Sequence, residues 1–279
     1  MTITRSQAIE LLKANNLAPR RAFGQNFVVD PNTVRRIARI ADVDRSSHVV
    51  EVGAGLGSLT LALAETGAQV LALEIDDGLV KVLRANVAEL DNVRVVHADV
   101  TKIDLNHELG RDQRWCLVAN LPYNIATPLV MNVLDQVPIV ERMLVMVQKE
   151  VAERFVAGPR TSAYGAVTVK VNYWAEARIE GLVPPTVFLP KPNVDSALVS
   201  IVRRPKPAIP VNIDRDWLFT LVRAGFAQRR KMLRRSLAGL VDITGFERAG
   251  VSPEARAEEL DVWAWGLLAN HAERVSIPR

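Results

Sequence analysis

The stretch HVVEVGAGLGSLT, residues 48–60, decides the fold. Its first five residues favour a strand, a helical pattern follows at 59–65, and glycines at 53, 55 and 57 lie between the two. Glycine tolerates positive φ and lets the backbone approach a ligand closely. In open α/β sheets such a turn stands at the carboxyl edge of the first strand, where cofactors bind. The stretch predicts a nucleotide-like ligand beside Gly53 and Gly55, although alone it would also fit a purely structural turn.

The pattern on both sides of this stretch predicts a doubly wound α/β sheet. From residue 47 to about residue 204, short β-branched runs alternate with helical ones, which is typical of that architecture. The predicted helices are 59–65, 78–89 and 127–136. The predicted strands are 48–52, 69–73, 93–97, 115–119, 142–147, 166–173 and 196–203. Because the last strands come without regular helices between them, we expect a mostly parallel sheet with an antiparallel edge.

A basic, proline-rich stretch at residues 203–210 separates two predicted domains. The segment RRPKPAIP holds three prolines and three cations, and proline neither continues a helix nor donates to a strand ladder. We therefore predict an α/β domain over residues 1–204 and a small all-α domain over residues 205–279. The helices expected in the second domain are 214–240 and 253–272.

Composition argues against several classes of protein. One cysteine excludes an internal disulfide, and four scattered histidines lack metal-ligand spacing, so we expect no metal site. No apolar run reaches the roughly 18 to 20 residues of a membrane span, and the first residues lack a secretory pattern, which predicts a cytoplasmic protein. Cys116 is expected to pack in a strand. The net charge of +4 conceals three basic groups, at 20–39, 203–206 and 223–235, which favour a polyanionic partner.

A glutamate after the second predicted strand points to the kind of ligand. Glu74 lies 21 residues beyond Gly53, the spacing at which an acid accepts hydrogen bonds from both ribose hydroxyls. A nicotinamide enzyme would share these features, but the dinucleotide pattern requires glycine or alanine where Ser58 stands. An adenosyl ligand without phosphates therefore fits better. Asp99, after the third strand, is placed for the adenine amino group, with a helix N-cap as the equal alternative.

The tetrapeptide Asn120-Leu121-Pro122-Tyr123 follows the fourth predicted strand and suits an adenine substrate. The N6 lone pair of adenine is delocalised into the ring, so acceptors aimed at its two N–H groups make the nitrogen a better nucleophile. The Asn120 side-chain oxygen is one such acceptor, and the Leu121 carbonyl is the other because Pro122 excludes helix at the residue before it. Tyr123 would stack on the extruded base. The alternative is an ordinary proline turn.

At these residues the chain resembles the ribosomal RNA adenine dimethyltransferase family, and the resemblance extends over nearly its full length. The segment FGQNFV, residues 23–28, is similar to the family motif in which Asn26 and Val28 would contact the cofactor. The segment FLPKPNVDS, residues 188–196, is similar to its second target-site motif, which would place Phe188 opposite the tyrosine across the flipped adenine. From its position beside a strand alone, Phe188 would be assigned to the core. The remaining cofactor contacts that the resemblance implies are Gly53, Glu74, Asp99 and Asn120.

The resemblance also implies a reaction and a substrate. It implies a Rossmann-like class I fold, S-adenosyl-L-methionine as the methyl donor and S-adenosyl-L-homocysteine as the product. The acceptors would be the N6 amino groups of two adjacent adenosines in a hairpin loop near the 3′ end of 16S rRNA. Each would receive two methyl groups within the small ribosomal subunit or its precursor. A role in subunit maturation follows from the same resemblance, and we expect a monomer.

A basic segment in the second predicted domain suggests RNA binding. On a helical wheel, the apolar residues of 219–240 share one sector and the basic residues occupy the adjoining one. The residues expected to contact RNA phosphates are Arg223, Arg230, Lys231 and Arg234. A charge run is otherwise often only a solvated face. Arg229 falls at the apolar edge, so either the helix breaks near residue 228 or this side chain reaches outward. The resemblance continues through 225–231 and 256–260.

Other functions remain open on the residues alone. An enzyme acting on large-subunit rRNA would share the cofactor site, whereas DNA adenine methyltransferases usually carry a second proline where Leu121 stands. A ribosome-assembly or RNA-binding factor with a vestigial site is the alternative from a different class. A nicotinamide dehydrogenase is disfavoured by Ser58 and by the lack of a convincing histidine–carboxylate pair.

Overall fold

The computed structural model describes residues 2–20, 24–209 and 213–272, and the chain falls into two compact units. The first unit contains Met1–Ala152 and Arg178–Arg203, and the second contains Glu153–Ala177 and Arg204–Arg279. One division thus lies a single residue before the boundary expected from the proline-rich stretch. The segment Glu153–Ala177 differs from expectation, because it groups with the second unit rather than with the first.

A β-sheet forms the centre of the first unit. Within the described ranges the strands are β1 (Phe27–Val28), β2 (His48–Val52), β3 (Gln69–Glu74), β4 (Val93–His97), β5 (Trp115–Asn120), β6 (Val140–Gln148), β7 (Ala175–Val183), β8 (Phe188–Leu189) and β9 (Ser196–Arg203). One sheet has the order β4-β3-β2-β5-β6-β9-β7, and β1 pairs separately with β8. Strands β4, β3, β2, β5 and β6 are parallel, while β9 runs antiparallel to β6. The predicted α/β fold with an antiparallel edge is confirmed.

The register of the central strands determines where the loops of interest emerge. Their residues, such as Val50 and Leu71, are buried, as expected for parallel strands covered on both faces. The pairing joins Val52 to Leu73 and Val50 to Leu117. The carboxyl ends of β2, β3 and β5 therefore lie at one edge of the sheet, where an open α/β sheet binds its ligand.

Seven of the described helices begin after a Thr or Asp whose side chain caps the first turn. In the part of the chain that the structure describes they are α1 (Arg5–Ala14), α2 (Pro31–Ala41), α3 (Ser58–Ala64), α4 (Asp77–Asn86), α5 (Leu105–Leu109), α6 (Ala126–Gln136), α7 (Lys149–Val156), α8 (Ala166–Trp174), α9 (Arg215–Ala227), α10 (Leu233–Ser236), α11 (Ile243–Ala249) and α12 (Val262–His271). Asp76 caps α4 by accepting hydrogen bonds from the Gly78 and Leu79 amides. The helices predicted at 59–65, 78–89 and 127–136 correspond to α3, α4 and α6, although α4 ends at Asn86.

The strand predicted at residues 166–173 is wrong, because this segment forms the helix α8. Its β-branched residues favour a strand locally, but propensity is a weak preference that packing overrides. Val169 and Tyr173 lie in the same buried cluster as Leu218 of α9, and the Tyr173 ring meets the Phe219 ring edge-on at 5.3 Å. The strand that the pattern missed, β7, follows directly and has a largely exposed, charged face.

The single helix predicted over residues 214–240 is also wrong, because α9 ends at Ala227 and α10 begins at Leu233. Arg229 explains the break. Its Nε donates to a Glu258 carboxylate oxygen at 2.6 Å, and its two terminal nitrogens donate to the carbonyls of Ser162 and Thr161. The helix predicted at 253–272 is shorter as well, since α12 spans Val262–His271. The first alternative for Arg229, a break near residue 228, is confirmed.

Two expectations from composition concern Cys116 and membrane-spanning helices. Cys116 is buried in β5, which confirms the prediction of strand packing. Burial raises the pKa of its thiol to about 11, so the group is an inert part of the core. A search of the described residues finds no helix with the length and apolar character needed to cross a membrane.

Candidate active site

A cavity of about 310 Å³ opens in the first unit at the carboxyl ends of the parallel strands. Its size lies at the lower end of the range for small-molecule sites, roughly 300 to 1,000 Å³. The structure brings nine of the predicted site residues to its wall. They are Asn26, Val28, Gly53, Gly55, Glu74, Asp99, Asn120, Leu121 and Tyr123. Residues predicted for the cofactor and for the target base therefore share one cavity.

The glycine loop after β2 adopts the conformation that its composition predicts. Gly53, Gly55 and Gly57 all have positive φ, at 73°, 59° and 92°. A side chain at Gly57 would approach Leu83 to 2.7 Å, closer than real Cβ contacts. The Gly53 amide donates to the Leu73 carbonyl at 2.9 Å. The loop is therefore anchored to β3 and exposes its backbone to the cavity.

Glu74, the last residue of β3, is almost completely buried at the cavity wall. One carboxylate oxygen accepts the Gly55 amide at 2.7 Å, and the other accepts the amides of Ile75 and Asp76, each at 2.9 Å. Burial raises the pKa of Glu74, although these backbone hydrogen bonds oppose the shift. A carboxylate has about four acceptor positions, so capacity remains for hydroxyl groups of a ligand.

Glu51 is a second buried acid at this wall, and the sequence analysis missed it. Its side chain is 2% exposed and lines the cavity. The Thr60 hydroxyl donates to it at 2.6 Å. Burial raises the pKa of Glu51 to about 8, and the nearby negative charge of Glu74 contributes to the shift. The signal available in the sequence was an acid inside an otherwise apolar strand directly before a glycine loop.

Asp99 lines the cavity and also organises its own turn. One oxygen accepts the Thr101 hydroxyl at 2.6 Å and the Thr101 amide at 3.0 Å, and the other lies 3.4 Å from Lys102 Nζ. These hydrogen bonds lower the pKa of Asp99, with the Thr101 hydroxyl contributing most. The carboxylate is therefore ionised and available as an acceptor. The cap of the next helix is Asp104, so the N-cap alternative for Asp99 does not apply.

Asn120, at the end of β5, is held by the segment that precedes β1. Its Nδ2 donates to the Asn26 carbonyl at 2.8 Å across 94 positions of sequence. The Asn26 side chain in turn donates to the Gly24 carbonyl at 3.1 Å. Because the amide nitrogen of Asn120 is engaged in this way, its Oδ1 is the atom available as an acceptor. The predicted role uses this oxygen.

The rest of the target loop is built around Pro122. The Leu121 amide donates to the Met146 carbonyl of β6 at 3.1 Å, and the Pro122 carbonyl accepts the amides that open α6. Leu121 is buried and lines the cavity. Tyr123 is half-buried, and its hydroxyl lies 3.0 Å from the Ser196 hydroxyl. Burial raises the pKa of Tyr123, so the phenol stays protonated.

Phe188 lies elsewhere, which corrects the position expected from the resemblance. It belongs to β8 and pairs with Val28 of β1. Its side chain is completely buried in a core cluster with Val118 and Leu198, and it is not among the residues that line the cavity. Phe188 is therefore a core residue of the first unit in this structure, as its position beside a strand alone would suggest.

The four basic residues expected to contact RNA are solvent-exposed in the second unit. They do not share one helix face, because Arg223 belongs to α9, Arg230 and Lys231 lie in the break, and Arg234 belongs to α10. Arg234 also stands 3.8 Å from a Glu254 carboxylate oxygen. Among the residues that the structure describes, no group of three or more His, Cys, Asp or Glu side chains is arranged to hold a metal ion.

The strand order, the glycine loop after β2 and the acid that ends β3 together define a Rossmann-like protein with a cofactor site at the carboxyl edge of its sheet. The profile of one protein family, described as ribosomal RNA adenine dimethylase, matches residues 16–273 of the sequence. The chain therefore belongs to the ribosomal RNA adenine dimethylase family, and it is a methyltransferase.

Individual relatives agree with this assignment. The chain is 47% identical over 272 residues to ribosomal RNA small subunit methyltransferase A of Streptomyces coelicolor, covering 94% of each chain. It is 40% identical over 284 residues to the protein of the same name from Enterococcus faecalis, covering 97% of this chain and 96% of that one.

Two solved structures are similar over most of the chain. The 23S rRNA methyltransferase ErmE is 27% identical with a TM-score of 0.69, covering 88% of this chain and 98% of that one. A dimethyladenosine transferase from Plasmodium falciparum has a TM-score of 0.73, covering 86% of this chain and 94% of that one. Its identity of 23% supports the shared fold alone.

Proposed function

We propose that this protein transfers methyl groups from S-adenosylmethionine to the N6 atoms of two adjacent adenosines near the 3′ end of 16S rRNA. Family membership and relatives named as small-subunit rRNA methyltransferases support the substrate. The observation that carries the chemistry is the Asn120 amide, which is held at the wall of the cavity by its nitrogen, so that its oxygen is available as an acceptor.

The cavity wall suits an adenosyl ligand that carries a positive charge. Glu74 would accept hydrogen bonds from the ribose hydroxyls, and Asp99 would accept one from the adenine amino group. Burial disfavours the charged forms of Glu51 and Glu74, and a cationic ligand would favour those forms again. Backbone groups of Gly53 and Gly55 allow the ligand to lie close to the loop. Bound S-adenosylmethionine supplies a methyl group on a cationic sulfur.

Asn120 and Leu121 act on the acceptor nitrogen. Asn120 Oδ1 and the Leu121 carbonyl would each accept one N–H of the adenine amine, which draws the nitrogen toward tetrahedral geometry and frees its lone pair. The donor would supply the methyl group to this lone pair and leave as S-adenosylhomocysteine, and the methylated amine would lose one proton to water. In the second transfer the nitrogen carries one remaining N–H, so only one of the two acceptors would hold it. Placement of donor and acceptor supplies most of the acceleration.

Tyr123 and the second unit would hold the RNA. The Tyr123 ring borders the cavity and would stack on the extruded base, worth about 1 to 3 kcal/mol. Exposed cations of the second unit would neutralise phosphates and so position the folded RNA without reading its sequence. These cations are Arg223, Arg230, Lys231 and Arg234.

The test is transfer of labelled methyl groups to unmethylated small subunits, large subunits and duplex DNA, followed by nucleoside analysis. We expect N6,N6-dimethyladenosine in the small subunit alone. Label on DNA would support methyl transfer as the reaction but contradict small-subunit rRNA as the substrate. No label on any of them, with the cofactor bound, would leave an RNA-binding assembly factor as the function.

A second candidate substrate is large-subunit rRNA, which the similarity to ErmE favours. The higher identity to the small-subunit enzymes weighs against it. Label confined to the large subunit in the same experiment would establish it. A monomeric state and a cytoplasmic location remain predictions, and gel filtration of the purified protein tests the first of them.

A further inference from the structure

Two hydroxyl groups from distant parts of the chain meet behind the target loop. The Tyr123 hydroxyl lies 3.0 Å from the Ser196 hydroxyl across 73 positions of sequence. Ser196 is the first residue of β9 and is completely buried. Tyr123 borders the cavity, so this hydrogen bond links the proposed stacking ring to the sheet.

Ser196 is a rigid point of attachment. It pairs with Gln148 in the antiparallel ladder between β9 and β6. The carbonyl of its neighbour Asp195 accepts the Lys149 amide at 3.0 Å, which fixes the start of β9 from the other side. Strand β6 in turn pairs with β5, the strand that leads into the target loop. The serine hydroxyl therefore has a defined position relative to Asn120.

The Tyr123 and Ser196 hydroxyl groups can form a stable hydrogen bond in which both are uncharged. Each hydroxyl can donate one hydrogen bond and accept others, and burial raises the pKa of Tyr123, so the phenol keeps its proton. A tyrosine ring has two rotatable side-chain bonds, and a hydrogen bond at its far end restrains both. Immobilising a side chain before the ligand arrives removes the cost of ordering it from binding.

We propose that Ser196 is a positioning residue that holds the Tyr123 ring ready to receive the target adenine. This inference rests on the proposed function, because it assigns Ser196 a part in the same methyl transfer. It also gives the second target-site segment, residues 188–196, a direct connection to the loop even though Phe188 is buried in the core. Ser196 is not a catalytic residue, since it would act through Tyr123.

The test compares Ser196→Ala, Tyr123→Phe and the double variant in single-turnover methyl transfer to RNA. We expect each single change to lower the transfer rate roughly fivefold, the worth of one hydrogen bond. Affinity for S-adenosylhomocysteine should be unchanged. The double variant should be no slower than either single variant, because both substitutions remove the same contact. Ser196→Thr, which retains a hydroxyl, should restore most of the rate.

Tyr164→Phe is the matched control. It removes a comparable buried tyrosine hydrogen bond, from the Tyr164 hydroxyl to the Leu260 carbonyl at 2.7 Å, in the second unit. It should lower the melting temperature without lowering the single-turnover rate at saturating RNA. If Ser196→Ala behaves like this control, or if the double variant shows the product of the two single effects, the positioning role is overturned. Failure of the proposed function is separate, because the unchanged protein would then methylate no rRNA.

Discussion

Replacing Glu51 by glutamine should change how the stability of the protein depends on pH. The folded protein holds this carboxyl in a site where burial raises its pKa to about 8, whereas in the unfolded chain it ionises near its ordinary value of 4.5. Between these two pH values the folded state binds a proton that the unfolded state has released. The free energy of unfolding contributed by Glu51 therefore falls as pH rises through this window.

The size of the effect follows from the number of protons involved. One proton corresponds to a slope of about 1.4 kcal/mol per pH unit. Between about pH 5 and pH 7 the free energy of unfolding of the wild-type protein should fall by about 3 kcal/mol relative to that of Glu51→Gln. The difference should level off below pH 4.5 and above about pH 8. Glutamine has nearly the same shape, and its carbonyl can still accept the Thr60 hydroxyl, so packing should be retained.

Urea unfolding of both proteins without ligand, across this pH range, measures the difference directly. Glu10→Gln, at an exposed position on α1, is the matched substitution for comparison. As pH rises, the free energy of unfolding of Glu51→Gln should increase relative to that of the wild type. Glu10→Gln should not show this increase. A constant difference between Glu51→Gln and the wild type at every pH would refute the assignment of a protonated, buried Glu51.

Three further predictions concern transfer, RNA binding and the second unit. Asn120→Ala should lower methyl transfer by roughly 100-fold, the scale of losing one preorganised polar group, in a protein with normal circular dichroism and melting temperature. Arg230→Ala should weaken RNA binding and reduce the slope of log affinity against log salt by about 0.7 to 0.9, because one phosphate contact is lost. Arg229→Ala should instead lower stability by about 1 to 2 kcal/mol, because a partly exposed guanidinium loses its hydrogen bonds to the Glu258 carboxylate and to two carbonyls. Thermal unfolding measures this loss.

Each of these predictions has a clear contrary result. A folded Asn120→Ala protein with near-normal turnover would show that the Asn120 amide is not needed for methyl transfer. If Arg230→Ala leaves the slope of log affinity against log salt unchanged, the Arg230 side chain is solvated and contacts no phosphate. Arg229→Ala and Arg230→Ala are controls for each other, because they are adjacent and differ in whether the guanidinium is engaged within the protein. Equal effects of the two on RNA affinity and on stability would contradict the distinction.

Local patterns in the sequence were sufficient for six strands of the seven-stranded sheet, all except β7, and for nine residues of the cavity wall. The step from β2 through the glycine loop to α3 follows from side-chain periodicity and from glycine's tolerance of positive φ. Glu74 and Asn120 both line the cavity, as expected for residues that end parallel strands and therefore meet at one edge of the sheet. These features depend on short stretches of chain and on topology, both of which a sequence displays.

Tertiary packing decided the features that depend on partners far away in sequence. Residues 166–174 carry a strand-like composition, yet burial against α9 makes them a helix. Phe188 is buried in a core cluster with Val118 and Leu198, which come from other strands of the chain. The Asn120 and Tyr123 side chains are oriented by hydrogen bonds spanning 94 and 73 positions. No local pattern encodes such pairs, because the free energy that selects them arises only when the folded chain removes both partners from water.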